Sequence, residues 1–137
     1  MTDTTKNSCQ TWVIQTAQDI QNISHLNPNL ASLIDAILQN KINEVHYICN
    51  PSYFAKNVLV AVAMSQRHVE AVAESSVKHV KECNIFKGTK VDGNGDIGWI
   101  AVDVPILDCI IHVMIEEKFL HYRIVDASQR SIVQLPE

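Results

Sequence analysis

Nowhere in these 137 residues do two cysteines stand close together. The four thiols, Cys9, Cys49, Cys83 and Cys109, are scattered, which excludes the paired spacings of zinc knuckles and redox motifs. They read as reduced thiols of a cytosolic protein. No apolar stretch approaches the roughly 20 residues of a membrane span. The first residues, MTDTTKNSCQTWVIQTAQDIQ, lack the apolar core of a signal peptide, and a single lysine without arginine makes a poor organellar leader. A soluble, cytoplasmic protein is the expectation. Basic charge is not in excess either: the net charge is −4 and the pI is near 5.8. Direct DNA binding is therefore disfavoured, because no global positive field draws a phosphate backbone.

Catalytic signatures are also missing. No serine sits in a glycine-flanked elbow, and no cysteine has a local pattern of activation. Gly93, Gly95 and Gly98 are not followed by a lysine-serine or lysine-threonine pair or by a helix start, so they cradle no phosphate. Asp92, Asn94, Asp96 and Asp103 imitate the oxygen ligands of a calcium loop. Its sixth and twelfth positions, however, hold Ile97 and Asp103 where glycine and glutamate are required. A glycine-rich turn entering a strand is the better reading. The six histidines fall on separate elements, so a metal site would have to be assembled by tertiary structure alone. No metal, cofactor or catalytic residue is expected.

What the chain does have is core-forming material, with 47% hydrophobic and 19% charged residues, enough for one domain. Val13, Ala17, Ile20 and Ile23 predict a short helix within residues 10–24. Asn27 followed by Pro28 predicts a capped helix ending near Asn40, with Leu30, Leu33, Ile34, Ile37 and Leu38 on its buried stripe. EVHYIC (44–49) and VLVAVAM (58–64) predict strands, the second covered on both faces. Ser65 caps the clearest helix, whose stripe is Val69, Val72, Ala73, Val77 and Val80. Runs 97–103 and 107–115, separated around Pro105, predict an antiparallel hairpin. The fold class is α/β (α+β), a mixed sheet of about five strands with helices packed on it.

The stretch LDCIIHVMIEEKFLHY (107–122) concentrates polar residues in an apolar run. As a strand it places Cys109, Ile111, Val113 and Ile115 on a core face. Asp108, Ile110, His112, Met114 and Glu116 lie on a mixed face that is partly exposed or covered by something polar. EEKFLHY then turns into a short helix.

In order and spacing, three segments resemble the ribosomal silencing factor (Iojap) family: SQRHVEAVAE (65–74), DGNGDIGWIAVD (92–103) and DCIIHVMIEEKFLHY (108–122). Ser65, Arg67, His68 and Val69 match its helix start. Gly98, Trp99 and Asp103 match its glycine-tryptophan strand, and Asp108, His112, Glu117 and Tyr122 match its last strand and helix. The chain departs from the pattern at Lys56, Asn57 and Val58, at Val62 and Ala63, in a hairpin turn lengthened by Val104–Leu107, and at Phe119, where arginine is usual. The resemblance implies a domain over 29–126, flanked by an N-terminal extension (1–28) and a C-terminal tail (127–137). It implies a nucleotidyltransferase-like architecture without the catalytic residues, and no enzymatic activity. It also implies docking on the large ribosomal subunit, through its protein numbered fourteen at the intersubunit face, which blocks joining of the small subunit and represses translation when nutrients are scarce. Trp99, Asp103, His112, Glu117 and Tyr122 are the candidate contacts. Two rivals stay open: a nucleotide- or metal-dependent enzyme using His112 with Asp108 or Glu116, and a self-associating module or homodimer.

Overall fold

The apolar stretches of the chain gather into one sheet. The computed structural model describes residues 10–24, 27–49 and 55–122. In chain order the elements are β1 (Gln10–Ile14), α1 (Ala17–Ser24), α2 (Pro28–Leu38), β2 (Val45–Cys49), β3 (Asn57–Ala63) and α3 (Gln66–Glu82). β4 (Lys90–Asn94), β5 (Trp99–Val104), β6 (Cys109–Ile115) and α4 (Glu116–Tyr122) complete it. The sheet is mixed and open, in the order β1-β2-β3-β6-β5-β4. β3 and β6 run parallel at its centre, and the other neighbours are antiparallel. The mixed fold class expected from sequence holds, with six strands rather than about five.

The two edge strands, β1 and β4, are both corrections. Residues 10–14 form β1, not the start of a helix, because they pair one for one with β2 from Gln10–Cys49 to Ile14–Val45. The Trp12 ring rests on Tyr47 with centroids 5.2 Å apart. The helix begins only at Ala17, where the Thr16 hydroxyl accepts from the Asp19 amide and the Asp19 carboxylate accepts from the amides of Gln15 and Thr16. Apolar spacing across 13–23 had merged a strand with a helix. Residues 90–94, read as part of a turn, form the edge strand β4 against β5. Residues 1–9 and the tail 127–137 lie outside the described residues.

Local chemistry sets the helix starts. Asn27 accepts from the Leu30 amide and Ser65 from the His68 amide, each with extended backbone at the cap. Leu30, Leu33, Ile34 and Ile37 of α2 and Val69, Val72 and Val80 of α3 are buried in the same cluster as Leu59, Val102, Ile111 and Val113 of the sheet. The opposite face carries Ile48, Val58, Val60, Trp99 and Met114, packed against Phe119 of α4. It is fully buried at His112 and Met114. The face expected to be open or polar-covered is thus a second apolar core.

Gly98 makes the β4–β5 turn possible, with φ at +73°. A Cβ there would come within 2.8 Å of the Ile115 side chain, and the Gly98 carbonyl accepts from the Ile115 amide. Gly98→Ala should therefore lower unfolding free energy in urea by about 1–2 kcal/mol. A loss below ~0.5 kcal/mol would show that the turn relaxes freely.

Candidate functional site

β6 lies at the centre of the sheet, so its polar residues must either find partners or lose their charge. His112 does both. The indole Nε1 of Trp99, on the neighbouring strand, donates to His112 Nδ1 at 2.9 Å, with the rings edge-on. An imidazole that accepts at Nδ1 carries its proton at Nε2, and that atom has no hydrogen-bond partner among the described residues. Burial alone holds the imidazole pKa down at about 4. His112 is a neutral bracing group at physiological pH.

The enzyme reading needs His112 to share a site with Asp108 or Glu116. Each stands four residues from it along β6 or just past its ends, roughly 13 Å at the rise of a strand. Asp108 and Glu116 are exposed while His112 is fully buried. Among the described residues no three histidine, cysteine or acidic side chains are placed to hold a metal ion. Cys109 is no nucleophile: burial first, then the nearby Asp103 and Asp108 charges, push its thiol well above the usual range.

The remaining motif residues sit at the joints between elements. His68 accepts from the Met64 amide at Nδ1, 3.0 Å, and its Nε2 donates to the Asn40 carbonyl at 2.6 Å. It thereby ties the start of α3 to the residues just after α2. Ser65 caps the same helix, and Arg67 points into solvent. Asp108 takes a left-handed turn conformation at φ 49°, and its carbonyl accepts from the Asn57 amide at 3.0 Å. Asn57 is itself held by a buried bond from the Tyr47 hydroxyl at 2.6 Å and donates to the Leu107 carbonyl at 3.1 Å. Asp103 is half-buried opposite Lys90. Glu117 is exposed on α4, which also carries Tyr122.

A groove of about 450 Å³ opens where the parallel strands β3 and β6 end, between the β3–α3 connection and α4. Its walls are Val62, Ala63, Met64, Phe119 and Leu120, with Asn43, Glu44 and Glu116 at the rim. Met64 is 75% and Leu120 61% exposed. Both line the same groove. Phe119 anchors α4 beneath them, its ring 5.1 Å from that of His46.

The sequence of a known family fits this architecture. A family model described as "Ribosomal silencing factor during starvation" matches residues 12–124. The chain belongs to the ribosomal silencing factor family. A search of curated proteins finds no match. The crystal structure of a protein from Chromobacterium violaceum is 24% identical, with a TM-score of 0.61 over 84% of this chain and 89% of that one. A second, from Bacillus halodurans, is 21% identical, with a TM-score of 0.59 over 73% and 93%. At these identities the two structures show the fold alone. Membership of the ribosomal silencing factor family carries a ribosome silencing role in general terms and a ribosome-associated partner. No described helix is long and apolar enough to cross a membrane.

Sequence reasoning missed the groove residues Met64 and Leu120. One signal was present: Phe119 and Leu120 are adjacent in a helix, so both cannot face the sheet. Met64 looked like the last residue of a buried run, and only the turn into α3 exposes it.

The burial of His112 generates a pH dependence. The folded pKa of about 4 lies below the ordinary 6.5, so the unfolded chain takes up a proton that the folded chain refuses. Stability should fall as pH drops from 6.5 towards 4, by up to about 3 kcal/mol from this group, and then level off. His112→Gln, which keeps an acceptor but does not titrate, should flatten that fall in urea midpoints. Equal slopes in the two proteins would contradict the assignment.

Proposed function

We propose that this member of the ribosomal silencing factor family binds the large ribosomal subunit in the cytoplasm, through its protein fourteen, and blocks joining of the small subunit. The repression of translation follows from occupancy of the intersubunit face and requires no reaction. The observation that carries this reading is the apolar groove at Met64 and Leu120, rimmed by Glu44 and Glu116, on a chain whose family model spans residues 12–124. Apolar contact flanked by carboxylates suits a basic ribosomal protein, and the net charge of −4 raises its encounter rate. Glu117 and Tyr122, both carried by α4, take part in contact. Trp99 and His112 act from beneath, by fixing the sheet on which α4 rests, and Asp103 lies near the far end of β5.

The proposed mode of action assigns no chemistry to the buried groups. The buried His112 is engaged by the Trp99 indole, and burial keeps the Cys109 thiol protonated.

Co-sedimentation with purified large subunits, paired with a subunit-joining assay, tests the proposal. The wild-type protein should pellet with large subunits and slow joining. Leu120→Asp and Met64→Asp, both at exposed positions, should weaken binding at least about tenfold while leaving the urea midpoint in place. Binding that survives both substitutions would place the contact elsewhere, and a protein that binds without slowing joining would remove the steric mechanism.

A further inference from the structure

The net charge of −4 is not spread evenly over the chain. Residues 77–91 hold four lysines and one glutamate, a local charge of +3, and all five of these side chains are exposed. Lys78, Lys81, Lys87 and Lys90 have no ion-pair partner among the described residues. The negative end of a helix dipole attracts cations in its last turn, which accounts for Lys81. It does not account for Lys87 and Lys90, which lie beyond the helix. Lys90 stands opposite Asp103 in the β4–β5 register, so Lys78, Lys81 and Lys87 carry the local field. Apolar surface runs beside them. A trough of about 640 Å³ separates α3 from the β4–β5 hairpin, with Ala73, Val77, Val91 and Ile100 in its walls and Lys78 and Lys81 on its rim. Phe86 lies next to that end, 38% exposed, with the Lys81 ammonium 4.9 Å from its ring centroid. Glu70 and Glu74 hold the rim towards the start of α3, and Glu70 is about 16 Å along the helix from Lys81.

We infer that this end of the molecule binds an unpaired RNA strand, whose phosphates follow Lys78, Lys81 and Lys87 while its bases rest on Phe86 and in the adjoining end of the trough. Proteins that hold single strands without reading their sequence combine these two features, a basic track for the backbone and an aromatic platform for the bases. Glu70 and Glu74 repel phosphates, and so they set the far limit of the track. A duplex would engage the lysines alone, because its bases stay stacked inside it and leave Phe86 and the trough unused. An anionic membrane fits less well. The apolar stripe of α3, with Val69, Val72 and Val80, is buried against the sheet, so the helix has no apolar face to insert. On the proposed function the strand is an exposed loop of ribosomal RNA, and the inference rests on that reading for the source of the RNA only. The 17 residues of α3 separate this end from the groove at Met64 by about 25 Å, so one contact leaves the other open.

Fluorescence anisotropy with a labelled single-stranded RNA of about 12 nucleotides and mixed sequence tests the inference on the full chain. The probe contains no ribosomal protein, so this inference and the groove contact can each fail alone. The wild type should bind with a Kd of about 1–100 μM at low salt, and binding should weaken about 20-fold from about 50 to about 200 mM salt, as three phosphate contacts require. Lys81→Gln and Lys87→Gln, at exposed positions, should each flatten that salt dependence to about sevenfold. Phe86→Leu keeps the apolar bulk but not the ring, and it should weaken binding about fivefold or more with the salt dependence unchanged. Urea midpoints should stay at the wild-type value in all three. A wild type that binds no RNA at the lower salt overturns the inference, as do lysine variants with the wild-type salt dependence. A duplex of the same sequence bound as tightly as the single strand, or adhesion to phosphatidylserine vesicles in place of RNA, overturns it as well.

Discussion

Two adjacent strands, β3 and β6, lie in register from Asn57–Cys109 to Ala63–Ile115 and are buried on both faces, and the rest of the structure is arranged around that pair. Parallel strands cannot be joined by a tight turn, so the chain must leave β3, cross the sheet and return. Here the crossover carries α3 and then the β4–β5 hairpin, so that β5 delivers Trp99 to the side of β6 where His112 needs a donor. The buried histidine is tolerated because the indole meets its acceptor and because it stays uncharged. One side of the pair is closed by α1, α2 and α3, and the other by Phe119 of α4.

The family-motif residues divide between this frame and the surface that it carries. Ser65, His68, Gly98 and Asp108 sit where one element gives way to the next, and each is held by a backbone bond or a left-handed turn. Their spacing in sequence is the spacing of the joints, so the resemblance rests on positions that hold the frame together. Phe119 belongs to the frame as well. It stands where arginine is usual in the resemblance, and here it serves as the anchor that leaves Leu120 facing outwards.

Much of the frame was legible in the sequence because its signals are local. Asn27–Pro28 and Ser65 specify helix starts through their own backbone amides, and the unbroken run 58–64 needs two covered faces. The edge strands were not legible. Gln10–Ile14 is a strand only because Val45–Cys49 lies beside it, and Lys90–Asn94 contains one apolar residue among five, so neither has a periodicity of its own. The mixed face of β6 was misjudged for a related reason. Alternation of Asp108, Ile110, His112, Met114 and Glu116 looks half-solvated, yet the two acids fall just outside the strand and the three residues within it are buried. The groove was hidden because its walls come from two segments more than fifty residues apart, Val62–Met64 and Phe119–Leu120.

On the proposed function, the groove at one end of the central strands is the contact surface and acts by occupancy. Site-specific photocrosslinking on large ribosomal subunits tests it most directly, with the reactive group at position 120 on α4 and, as a control, at position 35 on the outer side of α2. Adducts between position 120 and ribosomal protein fourteen, with none from position 35, are the expected result. Adducts from position 35 and none from position 120 would contradict the account.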